Sequence, residues 1–450
     1  MTTYDIGAVF RPGDAGYDEH RLGWNRTFES RPALIAAART AHDVRAAVLA
    51  ARERDLPLAV QATGHGLVVP ADGALLLKTT AMTGVEIDPH RRVARVGPGA
   101  VWADLNRAAA RYGLAGLAGR CSSVGVTGYT LGGGQSWLSR TFGFAADSVV
   151  SADVVTADGV ALTATARQHP DLFWALRGGG GNFGVVTSLE FRLYPVARVY
   201  SGMSLYPLER AFDTLAAYRQ WALEEPEAMN SAVLLIRLPQ SPLVPEALRG
   251  RRVLAIRAFH HGDGGARVLA PLLEAAGPPL LDAYRMRGFP EAGDATNGPD
   301  APPMPNRQEV ELFRALPDDV LHAIVEAGAP DSPLAFVEVR HWGGAMADPG
   351  PDGGPAGHRD VPFSVMAVAP YLSPDRTAAD AALDRLSARL RPHATGGSFL
   401  TLLTDHTKTR TAFTAGNYAR LSAVKHAWDP TNVFHLGHNI PPNPDREATP

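Results

Sequence analysis

The sequence predicts an α+β protein that contains more than one domain. The chain has 450 residues, which leaves room for two or three domains of roughly 100–200 residues each. Segments with strand character alternate with segments of helical periodicity along most of the chain. Between about residues 200 and 400, strands alternate with two predicted helices, at 208–225 and 378–390. That arrangement is typical of a sheet that carries helices on one face.

The first predicted elements are two helices and three strands. Thr40 is a suitable N-cap for a helix whose apolar residues keep helical spacing up to residue 55. A second amphipathic helix, at 101–112, ends at Gly113, because glycine readily takes the conformation that closes a helix. Short apolar runs predict strands at 58–61, 74–78 and 92–96.

The next predicted elements begin with a hairpin at 149–164. Strand-forming residues flank the turn Ala-Asp-Gly at 157–159, which indicates two antiparallel strands. A short helix at 171–177 and a strand at 185–193 follow, and a last helix is predicted at 418–427. Glycine- and proline-rich segments predict long loops at 287–305 and 347–357.

Composition and charge argue against several classes of protein. The 43 Lys and Arg residues nearly balance the 46 Asp and Glu residues, and no basic run stands out, which disfavours nucleic-acid binding. No apolar run approaches the ~18 residues of a membrane span, and residues 1–10 lack the features of a secretory signal. We therefore expect a cytoplasmic protein that does not bind a membrane. Because Cys121 is the single cysteine, an intrachain disulfide and a cysteine-based zinc cluster are excluded, and no metal site is predicted.

Glycines are concentrated around that cysteine. Seven of the nineteen residues at 116–134 are glycine. Such a density suits close approach of the backbone to a ligand, or a nest of amide groups that binds an anion. A thiol in this setting, next to Arg120, has the exposure and the positive surroundings of a reactive cysteine.

Two further glycine-rich motifs differ in what they predict. The run Gln-Ala-Thr-Gly-His-Gly at 61–66 follows a predicted strand, where backbone amides can bind a pyrophosphate without a basic side chain. The flanking glycines leave His65 accessible, although a lone loop histidine is more often a surface or hydrogen-bonding residue. The segment 179–184 has the Gly-x-Gly-x-x-Gly spacing, but a helix precedes it and a strand follows. That order is the reverse of the order in a Rossmann NAD site, which is therefore disfavoured.

Together, the motifs resemble those of the berberine-bridge-enzyme-like FAD-linked oxidases, in the vanillyl-alcohol-oxidase (PCMH-type) flavoprotein superfamily. The resemblance rests on the His65 motif, the run 121–134, the block 178–187 and the segment 417–442, which occur in the same order. It implies a PCMH-type FAD-binding domain of two α+β subdomains at 1–197, completed by 405–450. It also implies a substrate domain at 198–404, with an antiparallel sheet covered by helices.

The resemblance further implies how FAD is held. The family histidine that carries the flavin 8α-methyl group corresponds to His65, and the cysteine that bonds to flavin C6 corresponds to Cys121, so bicovalent FAD is implied. Gln61 stands where many relatives have arginine, and it can donate hydrogen bonds but brings no charge. The implied cofactor-binding residues are Gln61, Ala62, Thr63, Gly64, His65, Gly66, Cys121, Val124, Gly125, Thr127, Gly128, Gly132, Gly133, Gly134, Leu138, Gly184, Val185, Val186 and Asn439.

The sequence departs from the family at the proton acceptor. Leu403 aligns with a tyrosine that some relatives use as a base, and Val365 lies near a glutamate that others use. Neither usual base is therefore expected. Either another residue serves as the base, or the substrate, such as an acidic phenol or hydroquinone, needs little help.

The strand predicted within 336–345 offers replacement bases. Alternate residues of a strand share a face, which places Glu338, Arg340 and Trp342 on one side and His341 on the other. An imidazole that titrates near neutrality suits a general base, so His341 is a candidate, with Glu338 as a second. A purely structural role is the alternative for either residue. Tyr129 and Tyr418 are further candidates for the catalytic site.

The implied activity is that of an FAD-dependent oxidase. We expect hydride transfer from a small substrate to flavin N5, followed by reoxidation by O2 to give H2O2. An apolar pocket favours an aromatic or polycyclic secondary metabolite over a bare sugar. The alternatives are a dehydrogenase that uses another electron acceptor, and a flavin-containing drug-binding or resistance protein with low turnover. The predicted substrate residues are Arg340, Trp342, Phe363, Met366 and Leu403.

Overall fold

The computed structural model describes residues 6–298 and 300–442, and it begins with a small mixed sheet. Strand β4 pairs with β2 and β3 in parallel, and β1 joins β2 antiparallel, in the order β1-β2-β4-β3. Thr40 caps helix α2 as predicted, because its hydroxyl accepts from the Asp43 amide in a capping box. The elements are β1 (Ala8–Phe10), α1 (Tyr17–Arg21), β2 (Leu34–Ala37), α2 (Ala41–Glu53), β3 (Leu58–Gln61) and β4 (Leu75–Lys78).

A second sheet is antiparallel and has the order β5-β6-β9-β7-β8. The predicted hairpin is confirmed, since Val155 pairs with Ala161 across the turn. The glycine-dense segment, for which no regular element was predicted, contains helix α4. The elements are β5 (Val85–Asp88), β6 (Val93–Val96), α3 (Trp102–Ala110), α4 (Val126–Leu131), α5 (Ser139–Phe142), β7 (Val149–Val155), β8 (Ala161–Thr165), α6 (Pro170–Leu176) and β9 (Val185–Arg192).

A large antiparallel sheet follows, in the order β13-β10-β12-β11-β16-β17-β15, with β14 also paired to β10. Its elements are β10 (Arg198–Tyr206), α7 (Ala211–Glu224), β11 (Met229–Arg237), β12 (Arg252–His261), α8 (Gly265–Ala276), β13 (Leu281–Asp282), β14 (Arg285–Gly288), α9 (Phe289–Asn297), β15 (Asn306–Phe313), α10 (Asp318–Ala327), β16 (Phe336–His341), β17 (Phe363–Pro370) and α11 (Thr377–Leu390).

Helices cover one face of the large sheet, as the sequence predicts. Val233 of β11 and Val337 of β16 belong to a buried cluster with side chains from four helices. The opposite face packs against the first part of the chain: Leu234 and Ala255 lie in a cluster with Trp137. The four helices contribute, among others, Leu215 from α7, Leu269 from α8, Ile324 from α10 and Leu383 from α11.

The sequence predicts fewer helices in this region than the structure contains. It predicts α7 and α11 only, and it predicts a loop at 287–305 where β14 and α9 lie. Pro290 and Gly298 suggested a loop, but Pro290 lies in the first turn of α9, where no amide donor is needed, and Gly298 ends the helix with φ +78°. The prediction of a continuous loop was wrong because both residues mark the ends of a helix.

The C-terminal segment returns to the first two sheets through α12 (Ala415–Trp428). Lys425 of this helix is fully buried and donates to Asp429 and to the carbonyls of Asn182 and Phe434. Residues 443–450 of the predicted segment lie outside the described residues. Within the described ranges, none of the helices combines the length and the apolar character that a membrane crossing requires.

Candidate active site

A cavity of about 1420 Å³ lies between the two smaller sheets and the face of the large sheet opposite α7, α8, α10 and α11. Its walls are the loop after β3, the segment 119–135 with α4, the loop before β9, strands β16 and β17, and residues 434–439. The pocket exceeds the roughly 300–1,000 Å³ of an ordinary ligand site. It therefore has room for a large cofactor and a second molecule.

His65 lies at one end of this cavity in a tightly built loop. Gly64 has φ +75°, and a Cβ atom there would lie 2.6 Å from Gly23 Cα, so a glycine is needed. The His65 ring stacks on Trp24 at 4.6 Å between ring centroids, and its Nδ1 lies 2.9 Å from Thr63 Oγ1. Trp24, which carried no recognisable motif, was missed by the sequence analysis.

The His65 imidazole has one unused nitrogen. Its Nε2 atom is buried and has no hydrogen-bond partner among the described residues. Burial lowers the pKa of His65 to about 4, against a smaller opposing effect of Asp300. The ring is therefore neutral at pH 7, and a neutral imidazole nitrogen can act as a nucleophile.

Cys121 lines the same cavity and is a partly exposed free thiol. Burial raises the pKa of the Cys121 thiol, and the Arg120 guanidinium beside it partly opposes that change. The loop is held from the large-sheet side, since Asp300 accepts from the amides of Ser122 and Ser123 at 3.2 and 2.7 Å. The two residues that the sequence singled out thus share one cavity.

The wall residues suit FAD. Several side-chain atoms on the wall are buried and have no hydrogen-bond partner within residues 6–298 and 300–442, which a polar cofactor would satisfy. A Cβ atom at Gly66, Gly128 or Gly181 would meet nothing within 4 Å, so the wall leaves open space beside the backbone there. The unpartnered atoms are Gln61 Oε1, His65 Nε2, Thr127 Oγ1, Tyr129 Oη and Asn439 Oδ1.

Most of the predicted cofactor residues line the cavity, but three do not. Leu138 is fully buried in a hydrophobic cluster. A Cβ atom at Gly133 would lie 2.7 Å from Phe399, and one at Gly134 would lie 2.4 Å from Tyr129. These glycines therefore allow close side-chain packing behind the wall. The residues that do line it are Gln61, Ala62, Thr63, Gly64, His65, Gly66, Cys121, Val124, Gly125, Thr127, Gly128, Gly132, Gly184, Val185, Val186 and Asn439.

Glu338 and Arg340 lie on the cavity side of β16, beside Ser364 and Met366 of β17. Glu338 is buried among three arginines: its carboxylate lies 3.2 Å from Arg257, 3.3 Å from Arg340 and 3.8 Å from Arg120. Burial alone would raise the pKa of Glu338, but these positive charges outweigh it and hold the pKa below its usual value. The carboxylate is therefore ionised and a weak base.

His341 faces away from the cavity, which corrects its assignment as a candidate base. Its Nδ1 lies 2.6 Å from Glu225 Oε1, and its ring lies against Phe363 on the helix-covered side. Burial, with the nearby Arg140 charge, lowers the pKa of His341 to about 3. Alternation along the strand was predicted correctly, but the histidine is on the wrong face to reach a substrate in this cavity.

Three other predicted residues also lie outside the wall. Trp342 is fully buried against Phe144 and Phe399, with its indole N–H donating to Ser364. Phe363 belongs to the core beneath the covering helices. Tyr418 packs in the core of the second sheet, 6.3 Å from Phe413 between ring centroids. All three side chains therefore pack in hydrophobic clusters and do not face the cavity.

Of the two positions at which relatives carry a base, Val365 lies outside the cavity and Leu403 lines it. Val365 points into the helix-side core, so Ser364 and Met366 are its neighbours that face the cavity. Leu403 and Tyr129 line the cavity as predicted. Burial raises the pKa of Tyr129 far above its ordinary value, so its hydroxyl is a neutral donor. His438, which the sequence analysis missed, also lines the wall, and burial lowers its pKa to about 4.

Comparisons with known proteins agree with this geometry. Residues 32–165 match the family described as "FAD binding domain", and residues 404–441 match "Berberine and berberine like". An (R)-6-hydroxynicotine oxidase of Paenarthrobacter nicotinovorans is 30% identical over 467 residues, covering 97% of each chain. An FAD-linked oxidoreductase of Bacillus subtilis (strain 168) is 27% identical over 98% of this chain and 99% of its own.

Solved structures show the same fold. The crystal structure of 6-hydroxy-D-nicotine oxidase from Arthrobacter nicotinovorans superposes with a TM-score of 0.86, at 28% identity, over 97% of this chain and 98% of its own. A xylooligosaccharide oxidase from Myceliophthora thermophila C1 gives a TM-score of 0.84, at 25% identity, over 97% of each chain. The matches of fold, cavity and sequence over nearly the whole chain show that this protein is an FAD-dependent oxidoreductase of the berberine-bridge-enzyme-like family, among the vanillyl-alcohol-oxidase flavoproteins.

Proposed function

We propose that the protein is an oxidase that holds FAD through two covalent bonds, one to His65 and one to Cys121. The observation that carries this proposal is their placement: a neutral imidazole with an unused nitrogen and the single thiol of the chain line one cavity. Bound FAD supplies hydride acceptance from the substrate at N5 and electron transfer to O2, which yields H2O2.

The remaining wall favours an aromatic or polycyclic substrate, of the kind made in secondary metabolism. Met366, Leu403 and Phe336 contribute apolar surface to the cavity wall. A flat apolar molecule gains free energy from burial against these side chains. The hydroxynicotine oxidase among the relatives is named for a heteroaromatic compound, and the xylooligosaccharide oxidase is named for a sugar.

Acid precipitation tests the cofactor proposal. The purified protein is precipitated with trichloroacetic acid, and the masses of the peptides that contain His65 and Cys121 are measured. We expect the yellow colour to stay with the pellet and both residues to be linked to flavin. Release of all pigment into the supernatant would contradict both links, and one modified peptide would contradict the double attachment.

Anaerobic reduction tests the reaction. Phenols, polycyclic alcohols and oligosaccharides are mixed with the protein, and bleaching of the flavin absorption is followed before air is admitted. We expect bleaching by the aromatic compounds and rapid return of colour in air with formation of H2O2. Slow return in air would indicate a dehydrogenase, and tight binding without bleaching would indicate a flavin-containing binding protein. Bleaching by sugars alone would overturn the aromatic preference.

A further inference from the structure

Three arginines meet at one place above the cavity, and we call Arg120, Arg257 and Arg340 the arginine cluster. Arg257 of β12 and Arg340 of β16 both pair in register with Ala232 of β11, which lies between them. The small alanine lets the two guanidinium groups approach each other on the cavity face. Arg120 reaches the same place from the segment that carries Cys121.

The cluster carries more positive charge than its surroundings neutralise. Three guanidinium groups share one carboxylate, that of Glu338. Asp300 is near Cys121, but its oxygens accept three hydrogen bonds from Ser122 and Ser123. Buried charges are costly unless they are paired, so the cluster has an unmet requirement for negative charge.

The donors of the cluster also lack acceptors. Arg257 and Arg340 are each more than nine-tenths buried. Arg257 Nε has no hydrogen-bond partner among the residues that the structure describes. Arg120 Nη1 and Arg340 Nε also lack one there, and their contacts with Glu338, at 3.8 and 3.3 Å, are ion pairs only. Aromatic rings hold two of the planes in place, since Arg340 lies 4.0 Å from the centre of the Trp137 ring and Arg120 lies 4.7 Å from that of Phe336. The guanidinium groups are therefore fixed, and they face the cavity through Arg120 and Arg340.

We infer that the arginine cluster binds a carboxylate group of the substrate, and that the protein oxidises an aromatic or polycyclic acid. This inference rests on the proposed function and names its substrate class. The planar fork of a guanidinium matches a carboxylate in two parallel hydrogen bonds. The cluster already holds the Glu338 carboxylate, and a second carboxylate would balance part of the remaining charge. The apolar body of the acid would then lie against Met366 and Leu403.

Matched acids and amides test the inference on the flavin-containing protein as purified. Benzoate and 2-naphthoate are titrated against benzamide and 2-naphthamide at pH 7, and the change in the flavin absorption gives each Kd. We expect the acids to bind at least about tenfold more tightly than the amides of the same shape. Equal affinity of each pair would overturn the inference without any variant having to fold.

Variants of Arg340 and Glu338 test whether the preference for acids over amides comes from the arginine cluster. Arg340→Gln should weaken benzoate binding at least about tenfold, with benzamide unchanged, and Arg340→Lys should restore part of the loss. Glu338→Gln should tighten benzoate binding, because it removes the competing carboxylate. Arg237→Gln is the matched control: Arg237 lines the same cavity, but its guanidinium donates to the carbonyls of Pro330 and Ser332.

Benzoate affinity tests the carboxylate site, and bleaching of the flavin tests the proposed oxidation, so the two can fail separately. Unchanged benzoate affinity in both Arg340→Gln and Glu338→Gln would overturn the carboxylate site. If the acids bind as expected but no donor bleaches the flavin, the carboxylate site is supported and the proposed oxidation fails.

Discussion

His65 and Cys121, the two proposed sites of flavin attachment, differ in how burial affects their protonation. Burial keeps the His65 imidazole neutral, which leaves a nitrogen lone pair available. Burial also raises the pKa of Cys121, which reduces the thiolate fraction, and Arg120 only partly restores it. The His65 nitrogen can therefore act as a nucleophile without first losing a proton, whereas the Cys121 thiol must first lose one.

Single replacements should separate the two attachments. His65→Ala should leave flavin linked through Cys121 alone, and Cys121→Ala should leave it linked through His65 alone. Turnover should fall in both variants, because the remaining single link is expected to give a weaker oxidant. Peptide mass spectrometry after acid precipitation checks the links, and the double variant serves as the control without acid-stable colour. A single variant that loses all bound flavin on denaturation would contradict independent attachment.

The sequence predicted the placement of some of these residues but not of others. The glycines around His65 and Cys121 indicated accessible side chains, and both residues line the cavity. Strand alternation separated His341 from Glu338 correctly. Alternation does not tell which face of a strand meets the ligand, because that depends on which elements pack on each side. The helices that cover this face include α8 and α10, which the sequence analysis did not predict, so the burial of His341 could not be foreseen.

At the scale of elements, helix α9 connects the large sheet to the segment that carries Cys121. Asn297, the last residue of α9, donates to the Arg120 carbonyl, and Asp300 binds the next two amides after Cys121. The sequence predicted a loop here because Gly and Pro mark loops and helix ends alike. The thiol is thus positioned by an element far away in the chain, which no local motif could indicate.

Asp300→Asn should loosen this connection. Hydrogen bonds to a charged acceptor contribute about 1.5–3 kcal/mol each, and an amide oxygen is a weaker acceptor than a carboxylate. We expect a smaller fraction of Cys121-linked flavin, with the His65 link retained, as measured by peptide mass spectrometry. Asp294→Asn is the control, since Asp294 lies in α9 and its backbone carbonyl accepts from the Gly298 amide, whereas its side chain makes no hydrogen bond to the segment 121–123 in the described part of the chain. Equal Cys121 linkage in the two variants would contradict the role of Asp300.

A second connection between elements is the buried group of Arg140, Glu225 and His341. Arg140 of α5 donates to the carbonyls of Met229 and Glu225, and its guanidinium lies 3.5 Å from the Glu225 carboxyl group. Burial raises the pKa of Glu225 to about 8, although Arg140 opposes the change. Folding therefore makes Glu225 bind a proton that the unfolded chain has lost at neutral pH.

Glu225→Gln should change how stability depends on pH. The ordinary pKa of 4.5 rises to about 8 on folding, so the free energy of unfolding decreases as pH rises through this range. The lowered pKa of His341 acts only below its ordinary value of 6.5, which leaves the range from 6.5 to 8 to Glu225. Urea unfolding across that range should show a flatter slope for Glu225→Gln. The exposed neighbour Glu224→Gln should keep the original slope, and identical slopes in all three proteins would contradict the assignment.

At the scale of the whole molecule, the C-terminal segment holds distant parts of the FAD-binding region together. Lys425 bonds to Asn182, which lies beside the cavity, and to Phe434, which lines it. Asp429 accepts from Lys425 and from the amides of Val433 and Phe434. The sequence resemblance implied that this segment completes the FAD domain. The burial of the Lys425–Asp429 pair could not be read from the motif, because it depends on the carbonyl of the distant Asn182, which also accepts from Lys425.

Lys425→Met should destabilise the whole protein. Removal of one partner leaves Asp429 as a buried charge, and breaking a buried pair in this way costs about 3–5 kcal/mol. Urea unfolding should show that loss of free energy. Lys408→Met is the control, because the Lys408–Asp405 pair is solvent-exposed and such pairs contribute about 0–1 kcal/mol. Similar small losses in the two variants would contradict the structural importance of the buried pair.

The position of residues 434–439 has a consequence for the order of events during protein synthesis. These residues form part of the cavity wall, together with the loop of His65 and the segment of Cys121. They are the last wall segment that a ribosome makes. The nascent chain can thus fold much of the FAD-binding region early, but the binding site closes only when translation has passed residue 439. A chain that terminated before residue 434 would therefore lack one wall of the cofactor site.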